Sequence, residues 1–440
     1  MPFTFKRGIH PNEQKQYTEN VPIKVLLPGV KNDMVFPLLQ HLGAPCKPLV
    51  EIGQKVLLGE KIGDSDAFMS APVHSSVSGT VKDIRPHLTA IGTIVNSIII
   101  ENDGEYSEHE SIKPRNSFDD LSREDILSII REAGIVGLGG AGFPTHVKLS
   151  PPPDKKIDTV IINGSECEPY LTTDNRVMLE ESDQLVLGLR IILKVIQNAR
   201  GFIAIEDNKP EAIEAVRKSC ANVPNIRVAV LKTKYPQGSE KQLISAIKRR
   251  EVPSGGLPLD AGCIVNNVDT VIAVHRAVFR GRPLMRKVVT LTGGAIENPG
   301  NYKARIGTKL SDLVEMTGGL KHSPAKIVVG GHMMGVAIFD INVPVVKTTS
   351  GVLFLTESET RIPPEKNCIR CGQCVEHCPS GLIPIELNTD VLRESSGMFL
   401  EHNGLDCIEC GSCSYICPAK RRLSESIRTR RRVELAKRRK

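Results

Sequence analysis

Eight of the twelve cysteines fall into two copies of one spaced pattern near the C-terminal end of the chain. The copies are Cys368-x2-Cys371-x2-Cys374-x3-Cys378-Pro379 and Cys407-x2-Cys410-x2-Cys413-x3-Cys417-Pro418. Three thiolates at this spacing wrap one [4Fe–4S] cube, and the proline after the fourth cysteine ends the local helix. The repeat therefore predicts a domain that is built around two iron–sulfur cubes.

The ligand sets of the two cubes are expected to cross. In runs of this spacing the fourth cysteine binds the other cluster. The expected first cluster is held by Cys368, Cys371, Cys374 and Cys417. The expected second cluster is held by Cys407, Cys410, Cys413 and Cys378. Two cubes held by crossed loops lie close together, so the module is predicted to conduct single electrons.

Zinc and disulfides explain this pattern less well. Zinc sites favour two Cys-x2-Cys pairs separated by a spacer, and a third cysteine in phase has no role there. A disulfide framework is typical of short secreted chains. The thiols therefore indicate a reducing cytoplasm. The N-terminal sequence has no apolar leader, and the most apolar stretch, 185–196, is short and contains Arg190 and Lys194.

The positive charge of the chain lies at its end. Residues 420–440 contain eleven Lys or Arg and two Glu, whereas the whole chain has a net charge of +7, so the remainder is slightly acidic. This tail is either a disordered solubilising segment or a contact for an anionic membrane surface or acidic partner. It has no aromatic residue for base stacking, so no nucleic acid is expected as a partner.

The 440 residues predict a multidomain α/β protein. Residues 1–105 read as short strands and turns, and VEIGQKVLLGEKIG with SAPVHSSVSGTVKDI resembles a lipoyl/biotinyl-type barrel-sandwich module. Because no lysine occurs between Phe68 and Thr80, a structural role is expected rather than a swinging arm. Strands and helices then alternate over 118–285, and the run RVMLEESDQLVLGLRIILKVI at 176–196 is expected to form one helix. A smaller α/β unit at 286–350, a helical cluster domain at 360–420 and the basic tail at 421–440 follow.

A glycine-rich loop, GLGGAGFPTHVK at 137–148, is the second strong signal. Its glycines satisfy G-x-G-x-x-G, but the Rossmann fingerprint requires a strand before the loop. Here a helix that is capped by Ser122, SREDILSIIREAG, comes first. Four glycines in six residues indicate close approach of the backbone to a flat or anionic group. A simple surface turn is the other interpretation.

Together with NGSECEP and NNVDT, this loop resembles the flavin-binding subunit of respiratory complex I. The opening FKRGIHP, the barrel-sandwich module, a β-grasp (SLBB-like) unit and the two-cluster ferredoxin module are similar to the C subunit of the Rnf electron-transport complex. The resemblance implies FMN and NAD(H) sites. It places FMN and NADH against Gly137, Gly139, Gly140, Gly142, Phe143, Lys148, Asn163, Glu166, Glu168, Gly238, Glu240, Asn266, Asn267 and Thr270.

Within that set the resemblance implies distinct roles. The loop glycines lie against FMN, Lys148 reaches its phosphate, and Phe143 stacks on the adenine of NADH. Two family acids are replaced by Ser165 and Ser239, and Asp269 stands in the place of a third. The second aromatic residue of the NADH clamp has no counterpart, because Leu149-Ser150-Pro151 follows the lysine.

The resemblance also implies a function. The expected protein is a peripheral subunit, on the cytoplasmic face of the cell membrane, of an ion-translocating NAD–ferredoxin oxidoreductase. Its expected partners are integral-membrane and iron–sulfur subunits, with ferredoxin reached through another subunit. No side chain is expected to act as a catalytic acid or base, because hydride transfer belongs to the cofactor. A soluble cobalamin-reductase-like enzyme and a non-catalytic cluster scaffold or redox sensor are the alternatives.

Overall fold

The computed structural model describes residues 2–438 of the chain. Arg439 and Lys440, which belong to the expected basic tail, lie outside the described residues. Four sheets and a helical C-terminal unit make up the described part.

Two small sheets pack face to face in the N-terminal sandwich, residues 33–102. Strand β1 (Lys24–Val25) precedes the sandwich and belongs to another sheet. The strands of the sandwich are β2 (Asp33–Pro37), β3 (Lys47–Pro48), β4 (Lys55–Val56), β5 (Lys61–Asp64), β6 (Val73–His74), β7 (Gly79–Leu88) and β8 (Ile94–Asn102). One sheet has the order β2-β8-β7-β4 and the other β3-β5-β6. Met34, Phe36, Ile98 and Ile100 alternate toward the space between them, where they are buried. This arrangement agrees with the expected barrel-sandwich module.

The central unit, residues 123–280, is a parallel sheet with helices around it. Its elements are α1 (Arg123–Glu132), α2 (Thr145–Lys148), β9 (Thr159–Gly164), α3 (Thr173–Glu180), α4 (Ser182–Val195), β10 (Arg200–Glu206), α5 (Pro210–Cys220), β11 (Ile226–Leu231), α6 (Glu240–Lys248), β12 (Cys263–Asn267) and α7 (Val268–Arg280). The order β11-β10-β9-β12 is parallel throughout. Parallel strands end at the same edge of a sheet, so Asn163 and Asn267 lie side by side there.

The start of α1 is as predicted, but a second predicted helix is divided. Ser122 accepts from the backbone N–H of Asp125, and the Asp125 carboxylate accepts from that of Ser122. The run at 176–196, expected as one helix, breaks at Glu181 into α3 and α4. The Glu181 carboxylate pairs with Arg276 and Lys303, which come from α7 and the next unit. A tertiary ion pair therefore holds the break, and no Gly or Pro marks it.

The β-grasp unit, residues 286–355, contains a six-stranded sheet. Its elements are β13 (Arg286–Thr292), β14 (Gly300–Arg305), α8 (Leu310–Met316), β15 (Lys326–Val329), β16 (Val336–Ile338) and β17 (Gly351–Leu355), with α9 (Glu357–Thr360) after it. The order is β1-β14-β13-β17-β15-β16. Strand β1 thus comes from the N-terminal segment and closes one edge of a sheet that is otherwise built about 260 residues later.

The N-terminal segment before the sandwich, residues 2–20, runs along the central unit. Phe3 forms a bridge with Leu231 on β11, and Ile9 forms one with Tyr235. The backbone N–H of Gly8 donates to the carbonyl of His377, 3.2 Å away, in the first cysteine run. The segment therefore touches both the central unit and the cluster domain.

The cluster unit, residues 364–437, is helical between its two cysteine loops. Its helices are α10 (Gln373–Glu376), α11 (Pro384–Leu392), α12 (Ser396–Glu401), α13 (Ser412–Ile416) and α14 (Leu423–Lys437). Leu387, Phe399 and Ile427 form its buried core. The interpretation of the basic tail as a disordered segment is wrong for 423–437, because α14 supplies Ile427 to this core and its arginines pair with Glu409.

Within residues 2–438, none of the helices combines the length and the apolar composition that crossing a membrane requires.

Candidate functional site

A cavity of about 510 Å³ opens where the central unit, the β-grasp unit and the cluster unit meet. The central unit contributes the glycine loop, the segment after β9 and residues 235–240. The β-grasp unit contributes Gly330, Gly331 and Gly335, and the second cysteine loop contributes Ile408 and Cys410. This volume is typical of a pocket that encloses a small molecule or cofactor.

The glycine loop forms one wall of the cavity. It follows α1 directly, and a single bridge between Val136 and Pro144 closes its base. Gly139 and Gly140 line the cavity and are exposed. A β-carbon on Gly139 would lie 2.9 Å from Asn267, whereas one on Gly140 would meet only open space. The loop therefore presents bare backbone to the cavity and lacks the strand that a Rossmann fingerprint needs.

The start of α7 holds this loop in place. The Thr270 hydroxyl accepts from the backbone N–H of Leu138 at 2.9 Å. Asn267 caps α7 by accepting from the N–H of Asp269, and its amide donates to Asp174. Asn266 is buried, and its side-chain nitrogen has no partner in the described residues. Of these residues Asn267 lines the cavity, while Thr270 and Asn266 support it from behind.

The segment after β9 supplies polar groups to the opposite wall. The Asn163 amide donates to the carbonyl of Gly238 at 2.8 Å. The Glu166 carboxylate accepts from the backbone N–H groups of Asp174 at 2.5 Å and of Asn175 at 3.2 Å. Because these groups begin α3, the negative charge of Glu166 is stabilised by the helix terminus. Glu166 lines the cavity with its charge already compensated.

Glu168 connects three parts of the molecule. Its carboxylate accepts from the N–H of Met333 at 2.8 Å and lies 3.4 Å from the hydroxyl of Tyr235. That hydroxyl donates to the carbonyl of Cys410 at 2.7 Å. Burial raises the pKa of Glu168 to about 7, although Met333 and Tyr235 oppose the shift. The residue thus titrates near neutral pH at the junction between cavity and cysteine loop.

Buried lysines balance the acidic groups of the cavity. Lys15 donates to the carbonyls of Glu166 and Leu171, and Lys209 donates to that of Ser165. Lys287 lines the cavity and pairs with Asp269 at 2.7 Å. Burial, with the charge of Glu166, raises the pKa of Asp174, which also lines the cavity. The lining of the cavity therefore contains both acidic and basic side chains.

Lys148 lies outside the lining in this structure. Its ammonium donates to the backbone carbonyl of Val265 at 2.8 Å and pairs with Glu240 at 3.1 Å. Glu240 does line the cavity, so one carboxylate separates Lys148 from it. The ring of Phe143 is 6.0 Å from the same ammonium and is likewise not part of the lining.

The predicted residues therefore divide into two groups. Eight line the cavity: Gly139, Gly140, Asn163, Glu166, Glu168, Gly238, Glu240 and Asn267. Six do not line it: Gly137, Gly142, Phe143, Lys148, Asn266 and Thr270. Sequence reasoning missed Tyr235, Lys287, Asp174 and the glycines of the β-grasp unit. The glycines of the GGHMMG sequence after β15 could have been identified from the sequence. Tyr235, Lys287 and Asp174 carry no motif and become functional candidates only because packing brings them to the cavity.

Three of the cysteines outside the two runs are buried, and the fourth lines the cavity. Cys46, Cys220 and Cys263 are buried, and burial raises the pKa of each thiol. Cys167 lines the cavity, where its sulfur accepts from the N–H of Gly238 at 3.3 Å. Burial raises the pKa of Cys167 well above its ordinary value, so this thiol is protonated at neutral pH.

The four thiols of the expected second cluster line one small cavity in the cluster unit: Cys378, Cys407, Cys410 and Cys413. Cys378 thus lies with the three thiols of the second run. Burial raises the pKa of Cys407 to about 11, and Cys410 and Cys378 add to the shift. Across residues 2–438, no three His, Cys, Asp or Glu side chains are grouped for a single metal ion. A polynuclear cluster suits thiols that surround a shared space.

The remaining thiols lie nearer the surface. Cys368 and Cys371 are exposed, and Cys374 and Cys417 are partly buried. Burial raises the pKa of Cys374, and the neighbouring thiols Cys417 and Cys368 contribute to the shift. Cys417, from the second run, is therefore close to the first run. The crossed ligand sets of the two clusters stay a prediction, which these two neighbourhoods support.

Four family models match the chain in succession. They are described as the RnfC barrel sandwich hybrid domain (residues 3–105), the Nuo51 FMN-binding domain (130–276), the SLBB domain (288–337) and the 4Fe-4S dicluster domain (367–421). These matches confirm the predicted fold class. The chain carries an FMN-binding domain and a domain for two [4Fe–4S] clusters, and the enclosed, glycine-walled cavity and the grouped thiols fit those cofactors.

A solved NAD+-reducing [NiFe]-hydrogenase in the H2-reduced state shares the fold, with a TM-score of 0.50 and 19% identity over 71% of this chain and 61% of that chain. Two curated relatives are far more similar in sequence. One is the C subunit of the proton-translocating ferredoxin:NAD(+) oxidoreductase complex of Clostridium ljungdahlii, 47% identical over 97% of this chain and 93% of the relative. The other is the C subunit of the Na(+)-translocating ferredoxin:NAD(+) oxidoreductase complex of Acetobacterium woodii, also 47% identical, over 99% of this chain and 98% of the relative. With this identity over nearly the whole length, the chain belongs to the family of C subunits of ion-translocating ferredoxin:NAD(+) oxidoreductase (Rnf) complexes.

Proposed function

We propose that the chain exchanges electrons with NAD(H) in the 510 Å³ cavity and passes them first to the cluster that is held by Cys378, Cys407, Cys410 and Cys413. The observation that carries this order is the double role of Cys410. It lines both the cavity of the central unit and the cavity of the second cluster. A donor in the first cavity and a cluster in the second would be separated by little more than this loop.

FMN supplies the exchange between the electron pair of a hydride and the single electrons that an iron–sulfur cluster accepts. The residues of the chain bind and orient. Gly139 and Gly140 have no β-carbon, so the backbone can approach either the isoalloxazine ring or the phosphate group of FMN closely. Asn163, Glu166 and Asn267 supply polar contacts from the ends of β9 and β12.

The buried cations stabilise negative charge that arrives in the cavity. Lys287 lines it, and Lys15 and Lys209 hold the carbonyls of the segment after β9. Preorganised charges in an enclosed site act without reorganisation when electrons arrive. Tyr235 and Glu168 keep the second cysteine loop and the β-grasp glycines against the cavity.

The remaining thiols, Cys368, Cys371, Cys374 and Cys417, hold the outer cluster, which passes electrons to a partner subunit. Support for this order comes from exposure, because Cys368 and Cys371 are exposed whereas Cys378 and Cys410 are buried. The partners are the iron–sulfur and integral-membrane subunits of the complex, at the cytoplasmic face of the membrane. Ferredoxin is reached through another subunit.

Ion selectivity belongs to those other subunits. Two relatives at the same 47% identity are named for protons and for Na+, which supports a role for this subunit in electron transfer alone.

Anaerobic protein that is loaded with FMN and both clusters tests the function. NADH should reduce the clusters, and rapid freezing followed by electron paramagnetic resonance should show the second-cluster signal before the first. Protein with clusters but without FMN is the control and should not react. If NADH bleaches FMN but neither cluster, the chain is not the electron route. If the first cluster is reduced earlier, the proposed order is wrong.

A further inference from the structure

A second cleft, of about 560 Å³, lies among α4, the end of α7, the following loop and the edge of the β-grasp sheet. It shares no lining residue with the flavin cavity. Five of its twelve lining residues are cationic: Arg276, Arg280, Arg282, Arg286 and Lys303. Leu187, Leu284 and Met285 add apolar surface. This composition differs from that of an ordinary solvated face.

The cations of the cleft outnumber their acidic partners. Glu181 pairs with both Arg276 and Lys303, and Glu108 pairs with Arg282. Arg280 and Arg286 have no ion pair in the part of the chain that the structure describes. Like charges that are gathered without compensation repel one another, so the cleft attracts anions.

Arg305 strengthens this excess from behind. It stands directly opposite Arg286 on the neighbouring strand, so both side chains share one face of the sheet. It is 3% exposed, and its Nε and one terminal nitrogen have no partner within residues 2–438. Its guanidinium lies over the ring of Tyr106 at 4.8 Å. Burial and the charge of Arg286 lower the pKa of Arg305 to about 10. Like charges in opposed positions destabilise a sheet, and an anion that is bound beside Arg286 in the cleft offsets this repulsion.

His275 provides an unused hydrogen-bonding group in the same cleft. Its side chain is 8% exposed, and Nδ1 has no partner among the described residues. Burial, with Arg276 and Arg280, lowers the pKa of His275 to about 4, so the imidazole is neutral under physiological conditions. A neutral imidazole has one ring N–H, and in the tautomer that places it on Nδ1 this group has no protein acceptor and is free to donate to a phosphate oxygen.

We propose that this cleft binds a phosphate-bearing ligand of nucleotide size, at a site separate from the flavin cavity. The volume falls in the range of small-molecule pockets. Guanidinium groups form planar forks that match phosphate oxygens two at a time. The apolar lining from α4 and the loop before β13 accommodates a base or an acyl chain. The phosphate belongs either to a soluble nucleotide or to a lipid headgroup.

Calorimetric titration tests the soluble source. The protein carries FMN and both clusters and is saturated with NAD+, so the nicotinamide site is filled before inorganic pyrophosphate or ADP is added. Arg286→Gln should weaken binding about tenfold, because a charge-assisted hydrogen bond is lost. Arg280→Gln removes one positive charge from the same cleft and should also weaken binding. Because Arg280 is exposed, this substitution should leave folding intact. Arg227→Gln, an exposed arginine on β11, is the matched control and should bind as the unaltered protein does.

Vesicles of phosphatidylcholine with and without cardiolipin test the lipid source by co-sedimentation. Vesicle binding that requires cardiolipin and is lost in both cleft variants supports a lipid headgroup as the ligand. Calorimetric binding of pyrophosphate or ADP that is weakened in both cleft variants supports a soluble ligand. The proposal is overturned if neither probe binds. It is equally overturned if binding is the same in Arg286→Gln, Arg280→Gln and Arg227→Gln, since the anion would then occupy another surface, such as α14.

Discussion

Single side chains couple the 510 Å³ cavity of the central unit to the cluster unit. Glu168 accepts from Met333 of the β-grasp unit and lies against Tyr235, whose hydroxyl holds the carbonyl of Cys410. A β-carbon on Gly331 would come within 2.3 Å of the Glu168 carboxylate. Three units thus converge on one carboxyl group, and its protonation state affects how tightly they are held.

Glu168 gives the stability of the protein a measurable pH dependence. The folded carboxyl keeps its proton to about pH 7, whereas the ordinary pKa is 4.5, so the folded state binds more protons between these values. The free energy of unfolding therefore falls as pH rises through this window, by about 2 kcal/mol after allowance for solvent access. Glu168→Gln should lack this slope.

Thermal unfolding of flavin-free protein at about pH 5 and about pH 7.5 measures the effect. The midpoint of the unaltered protein should drop further between the two than that of the variant. Glu214→Gln, at an exposed position on α5, should behave as the unaltered protein does. Equal drops in all three proteins would show that Glu168 titrates normally.

Lys148 is predicted to affect FMN retention although it does not line the cavity. Lys148→Ala removes the ammonium that neutralises Glu240, which does line it. An unpaired carboxylate in the wall repels a phosphate, so the dissociation constant for FMN should rise about tenfold. Flavin fluorescence quenching on FMN-free protein gives that constant, with exposed Lys321→Ala as the control. An unchanged constant would remove Lys148 from the site.

Among the elements, α14 changes the interpretation of the basic tail. Arg431 donates to the carbonyl of Leu405 at 3.0 Å and pairs with Glu409 at 2.9 Å. Arg428 pairs with the same carboxylate. Glu409 lies between Cys407 and Cys410, so the helix fixes the second cysteine loop from outside. The positive charge of α14, which the sequence indicated to be solvated, therefore has a partly structural role.

Arg431→Ala should therefore loosen the second cluster. Loss of its carbonyl and carboxylate contacts is expected to cost about 1–2 kcal/mol. Visible absorbance during anaerobic heating reports cluster loss, which should begin at lower temperature in the variant. Arg432→Ala removes the same charge from the exposed side of the same helix and should have little effect. Similar cluster loss in both variants would mean that the net charge of α14, and not the contacts of Arg431 with Leu405 and Glu409, stabilises the second cluster.

Most helices and strands were predicted from the sequence because the patterns that specify them are local. The apolar runs that became β9 to β12, the capping box at Ser122 and the cysteine spacing all carry their information within a few residues. The break at Glu181 has no such signal. Its cause is an ion pair with Arg276 and Lys303, about 95 and 122 residues further along the chain.

The candidate site was only partly predictable from the sequence, because long-range contacts leave no local pattern. The glycine loop and the acids after β9 are contiguous motifs, and eight of the fourteen predicted residues line the cavity. Tyr235 and Lys287 carry no motif, and they reach the cavity only because three units pack together. The family resemblance assigned Lys148 to a phosphate, but the carboxylate of Glu240, which it contacts, lies 92 positions away.

At the scale of the whole molecule, the packing predicts a serial route from the cavity through the second cluster to the first. Cys378→Ser should reduce the iron content from about eight to about four per chain. The first cluster should survive but should no longer be reduced by NADH, while dithionite still reduces it. Cys220→Ser, at a buried thiol on α5, is the control. Continued NADH reduction of the first cluster would show that the second is not an obligatory step.

The N-terminal segment has a consequence for the order in which the protein folds. Gly8 bonds to His377, and β1 completes a sheet whose other strands are translated much later. Because translation proceeds toward the C-terminus, neither contact can form until the residues that it needs, hundreds of positions downstream, have been synthesised. The native placement of this segment is therefore a late event in folding.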